Sequence, residues 1–110
     1  METITGIQKP EAVSHLREGI ILLLSGWNGL QMAVKNQWGG RDSLQKSHQL
    51  VSDILSWFLH SRGPLYVEDL ENLLHENLLL SFNTEIEDGS LEEIAEELIM
   101  MLEEYVHRIG

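Results

Sequence analysis

Apolar side chains fall at Val13, Leu16, Ile20, Leu23, Trp27, Leu30 and Val34, in alternating steps of three and four residues. That spacing keeps one face of a helix apolar. Pro10-Glu11 opens the stripe: proline suits a first helical turn, and an acid there meets the positive end of the dipole. Ser25-Gly26 interrupts it, since serine favours a cap and glycine weakens a helix interior. The pattern reads as two helices, or one sharply kinked, meeting near Ser25 and Gly26. One unbroken helix to about residue 37 is the alternative.

A second stripe, Leu44, Val51, Ile54, Leu55, Phe58 and Leu59, predicts a helix capped by Asp42 or Ser43 and running to about His60, with Trp57 half exposed beside it. Ser61-Arg62-Gly63-Pro64 ends that helix. Leu70, Leu73, Leu74, Leu78 and Phe82 predict the next, from about Val67, with Glu68, Asp69 and Glu71 in its first turn. Leu79 and Leu80 widen its face and predict heavy burial. Asn83 to Gly89 reads as a polar connection with a glycine turn. Ser90-Leu-Glu-Glu93 has the form of a capping box and starts the last helix, with Leu91, Ile94, Ala95, Leu98, Leu102, Tyr105 and Ile109 inward. The expected fold is all-α, a single compact bundle of four to five helices with mostly antiparallel packing. Residues 1–9 carry no period and are expected to be flexible, which leaves 10–110 as a single helical domain.

Seven basic and eighteen acidic residues give a net −11. Residues 1–64 hold six bases and five acids, whereas 65–110 hold thirteen acids and one base, Arg108. Such a surface repels phosphate backbones, so direct nucleic-acid binding by the second half is not expected. It attracts a positively charged partner and speeds encounter with it. The plainer account is that the acidity keeps a small protein soluble. On the last helix, Glu92 with Glu96 and Glu93 with Glu97 are like-charge pairs one turn apart. Each costs about 0.2–0.5 kcal/mol in an isolated helix, a cost consistent with a face offered to a cation.

The chemistry of the side chains is otherwise sparse. There is no cysteine, hence no disulfide and no thiolate metal site. No signal peptide is expected from the start of the chain, and the longest apolar run, Ile20 to Leu24, is far below the roughly 20 residues that span a bilayer. Glu104 and His107 have the spacing of one half of a helical di-iron site, but the other half is missing. Glu85-Ile86-Glu87-Asp88-Gly89 fails as a calcium loop, because Ile86 would fall on a ligand position. No nucleophile has a neighbouring base and no glycine-rich phosphate loop follows a strand. The expectation is no enzyme, no metal and no cofactor.

One segment organises the rest. Trp27 opens an amphipathic stretch that stops at Trp38-Gly39-Gly40. Either glycine can close a helix in left-handed backbone, with Trp38 as a core residue beside it. Trp27, Leu30 to Val34, and Trp38-Gly39-Gly40, followed in order by Phe82-Asn83, Glu87-Asp88-Gly89-Ser90 and Ile94-Ala95, resemble the eukaryotic WGG-motif pre-rRNA-processing family. The resemblance spans about residues 11 to 108. It implies a small helical protein that escorts one basic, zinc-binding small-subunit ribosomal protein (number twenty-six) to the pre-ribosome, in the nucleus, nucleolus and cytoplasm. The expected partner contacts are Glu85, Glu87, Asp88, Glu92, Glu93, Glu96 and Glu97, on a monomer. Trp27, Trp38, Gly39, Gly40, Asp88, Gly89 and Ser90 are expected to shape the fold, with Trp38 reaching a partner only if its indole is exposed. Members of that family often continue into an acidic C-terminal extension, which this sequence does not include; if the sequence is complete, the folded surface is expected to hold the partner alone. The alternative is a small acidic regulatory bundle that binds an amphipathic helix of a non-ribosomal partner, with Met32, Met100, Met101 and Trp57 lining a groove. For those methionines, core filling is the favoured reading.

Overall fold

A computed structural model describes residues 10–61, 64–86 and 89–109, with side chains described from Ala12 to Tyr105 within those spans. The expected flexible start, Arg62, Gly63, Glu87 and Asp88, and the side chains of His107 and Ile109, lie outside the described residues. The described chain is helical: α1 (Pro10–Ser25), α2 (Asn28–Lys35), α3 (Ser43–Leu59), α4 (Val67–Phe82) and α5 (Ser90–Ile109). Four long helices close a ring in which α1 packs on α3, α3 on α4, α4 on α5 and α5 on α1, while the short α2 caps one end against α1 and α3. Two long-range bonds tie the ends of α1 and α5 in opposite directions. Trp27 Nε1, just after α1, donates to Ser90 Oγ at the start of α5. The Tyr105 hydroxyl, near the end of α5, donates to the Ala12 carbonyl at the start of α1.

The core runs the length of this ring. Leu16, Ile20, Leu24, Trp27, Leu30 and Ala33 meet Leu50, Val51, Ile54, Leu55 and Phe58 from α3. Leu70, Leu74, Leu78 and Phe82 close it from α4, and Ile94, Ala95, Leu98, Ile99 and Leu102 from α5. Each of the leucines, isoleucines and phenylalanines among them contributes about 1.5–3 kcal/mol on burial.

Several positions differ from the apolar pattern. Two helices do meet at Gly26, but Ser25 does not cap the second: its hydroxyl turns back to the Leu22 carbonyl, and Trp27 holds the cap position in extended backbone. The buried register is Leu24 and Ala33, with Leu23 and Val34 half-buried: within α1 the buried face steps by four, Leu16, Ile20 and Leu24, before the helix breaks at Gly26. On α3, Leu50 is buried and Leu44 is exposed. Leu79 and Leu80 were expected inside and are exposed, Leu80 at 81%. Successive helical residues turn by about 100°, so Leu80, two residues after the buried Leu78, points away from the core, and the buried face of α4 is the narrow one of Leu70, Leu74, Leu78 and Phe82.

Candidate functional site

Two features stand out: the turn around Trp38-Gly39-Gly40 and the acidic side of α5. In the turn, Trp38 N–H donates to the Ala33 carbonyl at 2.9 Å and Gln37 N–H to the Val34 carbonyl at 3.1 Å. This pair of bonds is a Schellman closure, which needs a left-handed residue just beyond the helix. That residue is Gln37, at φ 55°, and neither Gly39 nor Gly40, the two expected to close the helix. Gly40 takes the second positive φ, 94°.

Gly39 has a different task. A Cβ placed on it would stand 2.5 Å from the Ser81 carbonyl oxygen and 3.1 Å from the Phe82 ring. Only a bare backbone lets the turn rest on the last turn of α4. Polar bonds lock it there. Gly39 N–H donates to Ser43 Oγ at 3.0 Å, and that hydroxyl donates to the Gly40 carbonyl at 2.8 Å. Lys46 Nζ donates to the Gly39 carbonyl at 2.6 Å and lies 3.6 Å from Asp42. Ser43 is therefore buried at the α3 start, while the Asp42 side chain makes no capping bond. Trp38 is not a core residue. It stands 46% exposed at this end of the bundle, where Leu79 and Leu80 are also exposed.

Across the molecule, the Trp27 ring is buried and its N–H donates to Ser90 Oγ at 2.8 Å. The Glu93 N–H, assigned by the capping-box reading to the Ser90 oxygen, donates to the Gly89 carbonyl at 3.3 Å, and Gly89 takes φ 84°. The second motif block thus seats α5 on the α1–α2 junction.

From that anchor α5 carries Glu92, Glu93, Glu96, Glu97, Glu103 and Glu104, all exposed. The helical period sorts them into two rows, Glu92–Glu96–Glu103 and Glu93–Glu97–Glu104. The second row borders α1. Glu93 and Glu97 line a polar cleft of about 270 Å³ with Trp27, Asn28, Gly29 and Ser90. Glu97 and Glu104 continue along a more apolar groove with Leu23, Met100 and Met101. Glu85 stands apart in the α4–α5 connection, 3.9 Å from His75 Nε2. Among the described residues, the ion-pair contacts are this one and Lys46–Asp42, so the described cations leave the α5 rows unanswered. Of the expected contacts, then, Glu92, Glu93, Glu96 and Glu97 come together on α5 and Glu85 stands apart, against His75 of α4, while Glu87 and Asp88 lie outside the described residues.

Core filling holds for Met101, which packs against the core, and not for the other two methionines. Met32 and Met100 are exposed and Met101 is half-buried, but Met32 lies on α2 and does not line the α1–α5 groove. Trp57 is half-buried against the core. The part of α1 that borders the acidic row was missed; Leu22, 72% exposed, belongs to it. The run Ile20 to Leu24 held the signal, since five consecutive apolar residues cannot all face inward on one helix.

At the far end of α5, desolvation by burial pushes the Tyr105 phenol above the usual tyrosine range. No described helix is long and apolar enough to cross a membrane.

A family model described as WGG: Pre-rRNA-processing protein TSR2 matches residues 16–96. The chain is 32% identical over 95 residues to the Pre-rRNA-processing protein TSR2 homolog of Homo sapiens, covering 86% of this chain and 49% of that one. It is 32% identical over 87 residues to the homolog of Danio rerio, covering 79% and 48%. It is 33% identical over 81 residues to Pre-rRNA-processing protein TSR2 of Saccharomyces cerevisiae, covering 74% and 39%. The chain thus spans about half the length of these relatives or less. No solved structure matches it.

Proposed function

The chain belongs to the WGG family of pre-rRNA-processing proteins, and on that premise we propose that it serves ribosome biogenesis as an acidic escort. It binds a basic small-subunit ribosomal protein, number twenty-six, before assembly and delivers it to the pre-ribosome, which supports small-subunit rRNA processing. The work is done by binding alone. Its place is the nucleus and nucleolus, with passage through the cytoplasm.

The observation that carries this reading is the exposed face of α5, where Glu92, Glu93, Glu96 and Glu97 project together and no described cation pairs with them. A single-sign face attracts an opposite charge from a distance and sets its orientation. A free ribosomal protein carries many lysines and arginines meant for RNA. Carboxylates in rows one turn apart shield those charges and compete with phosphate for them. Release follows on the pre-ribosome, because the density of phosphate on RNA exceeds that of carboxylate on one helix. Trp38, exposed at the end of the bundle, offers a large face with a polar N–H to the same partner or to the pre-ribosome.

A pull-down from eukaryotic lysate at low and at moderate salt, read by mass spectrometry, tests the reading. The expected result is one basic small-subunit ribosomal protein, recovered without rRNA and lost as salt rises. A salt-resistant, non-ribosomal partner would overturn it.

A further inference from the structure

The acidic row of α5 does not stand on a flat surface. Glu104 and Met101 line two adjoining hollows between α1 and α5, of about 300 and 360 Å³. The first has Leu16, Gly19 and Leu22 as its α1 wall, and the second Leu23. Together they make one trough with a floor of aliphatic and thioether groups. Gly19 leaves room for Met101 against α1: a Cβ there would stand 2.8 Å from Met101 Sδ, a contact that the flexible thioether could turn to relieve. Leu22 on one lip and Met100 on the other are 72% and 66% exposed, a large apolar outlay for a water-facing surface.

Both lips are acidic. Glu18 rises from the α1 side, and Glu97 and Glu104 from the α5 side. Glu93 extends the α5 lip toward Trp27. His15 is the one described side chain of the lining that can carry positive charge, and Arg17 turns away to bond Ser52 on α3. An apolar floor between two acidic lips is the complement of a helix with an apolar stripe flanked by lysine or arginine. From Glu93 to Tyr105 the α5 lip runs about 18 Å, at 1.5 Å per residue, which matches about three turns of such a helix. Its apolar anchors would repeat one turn apart, the spacing that helix-in-groove recognition uses.

We infer that the α1–α5 trough is a docking site for a cationic amphipathic helix, held by apolar contact with Leu22, Leu23, Met100 and Met101 and by charge contact with Glu18, Glu97 and Glu104. The inference rests on the escort reading for the sign of the partner's charge. It adds that recognition is by helix shape and not by charge alone. Methionine suits such a floor, because its unbranched, polarisable side chain adapts to the ridges it meets.

The test uses the full chain and two synthetic peptides of the same lysine and leucine composition. One places leucines on a single helical face, and the other is scrambled. Fluorescence anisotropy then compares the unsubstituted chain, the double variant Leu22→Ser/Met100→Ser and the double variant Glu97→Lys/Glu104→Lys. The unsubstituted chain should bind the amphipathic peptide at least about tenfold tighter than the scrambled one, a difference of about 1.4 kcal/mol. Leu22→Ser/Met100→Ser should erase that preference and leave scrambled-peptide binding unchanged; both side chains are exposed, so its melting temperature should stay close to that of the parent. The acid-reversal variant should weaken both peptides. Equal affinity for the two peptides, or an amphipathic preference that survives Leu22→Ser/Met100→Ser, overturns the trough and leaves charge-driven escort standing. The escort reading fails separately, if the ribosomal protein itself shows no salt-dependent binding.

Discussion

Trp27 and Ser90, sixty-three residues apart, share a hydrogen bond of 2.8 Å between the indole N–H and the serine hydroxyl. The bond pins the α1–α2 junction to the start of the acidic helix. Both residues belong to the motif blocks read from the sequence, yet neither block hints at the other. Ser90→Ala should strip the buried indole of this acceptor and destabilise the fold by about 1–3 kcal/mol. Urea unfolding should give a lower midpoint at an unchanged slope, and a double cycle with Trp27→Phe should report coupling between the two positions.

The two glycines of the turn should respond unequally to alanine. Gly39→Ala puts a methyl 2.5 Å from a backbone carbonyl on α4, which side-chain rotation cannot relieve. It should cost about 2 kcal/mol or more and loosen the contact between the turn and α4. Gly40→Ala meets open space apart from Asp42 Oδ1 at 3.5 Å, so it should cost about 1 kcal/mol, from the positive φ alone. Thermal unfolding of the two variants side by side checks the order, and the reverse order would mean that backbone strain outweighs the close approach.

Gln37 offers a gain. It occupies left-handed backbone at φ 55°, where glycine is unstrained. Gln37→Gly should therefore raise stability by about 0.5–1 kcal/mol, despite the added freedom of the unfolded chain. Denaturant titration is the check, and a loss of stability would show that the Gln37 side chain does more than occupy the turn.

Tyr105 contributes to the response to alkali. Burial holds its phenol above the ordinary tyrosine range, so the folded chain keeps that proton more tightly than the unfolded chain. The stability so gained is fully present below the unfolded value of about 10 and is lost as pH rises through the folded one. Tyr105→Phe, which also removes the bond to the Ala12 carbonyl, should cost about 1 kcal/mol at neutral pH. Unfolding curves from pH 7 upward should converge for the two proteins as the phenol ionises.

These relationships mark what one sequence reveals and what it hides. Helix boundaries were legible, because Pro10, Gly26, Pro64 and Gly89 punctuate strong local periods. The exposed glutamates of α5 were legible for the same reason. Which leucine faces inward was less so: Leu24 replaces Leu23 in the core, and Leu80 goes to water because Leu78 takes the core. The division of labour in the tryptophan-glycine-glycine turn was hidden. Glycine type predicts left-handed backbone, but at Gly39 it answers to a helix more than forty residues away, and Gln37 takes the left-handed turn instead. The trough depends on how α1 and α5 lie against each other, which no local period encodes.

Escort, as proposed, depends on the rows of carboxylate on α5 holding a basic partner. The most direct measurement is the affinity of the full chain for the basic small-subunit ribosomal protein across a salt series, with and without reversal of Glu92, Glu93, Glu96 and Glu97 to lysine. Binding should weaken steeply as salt rises and be lost in the reversed variant, with an unchanged helical circular-dichroism signal. Affinity that is flat in salt, or equal in the reversed variant, would contradict it.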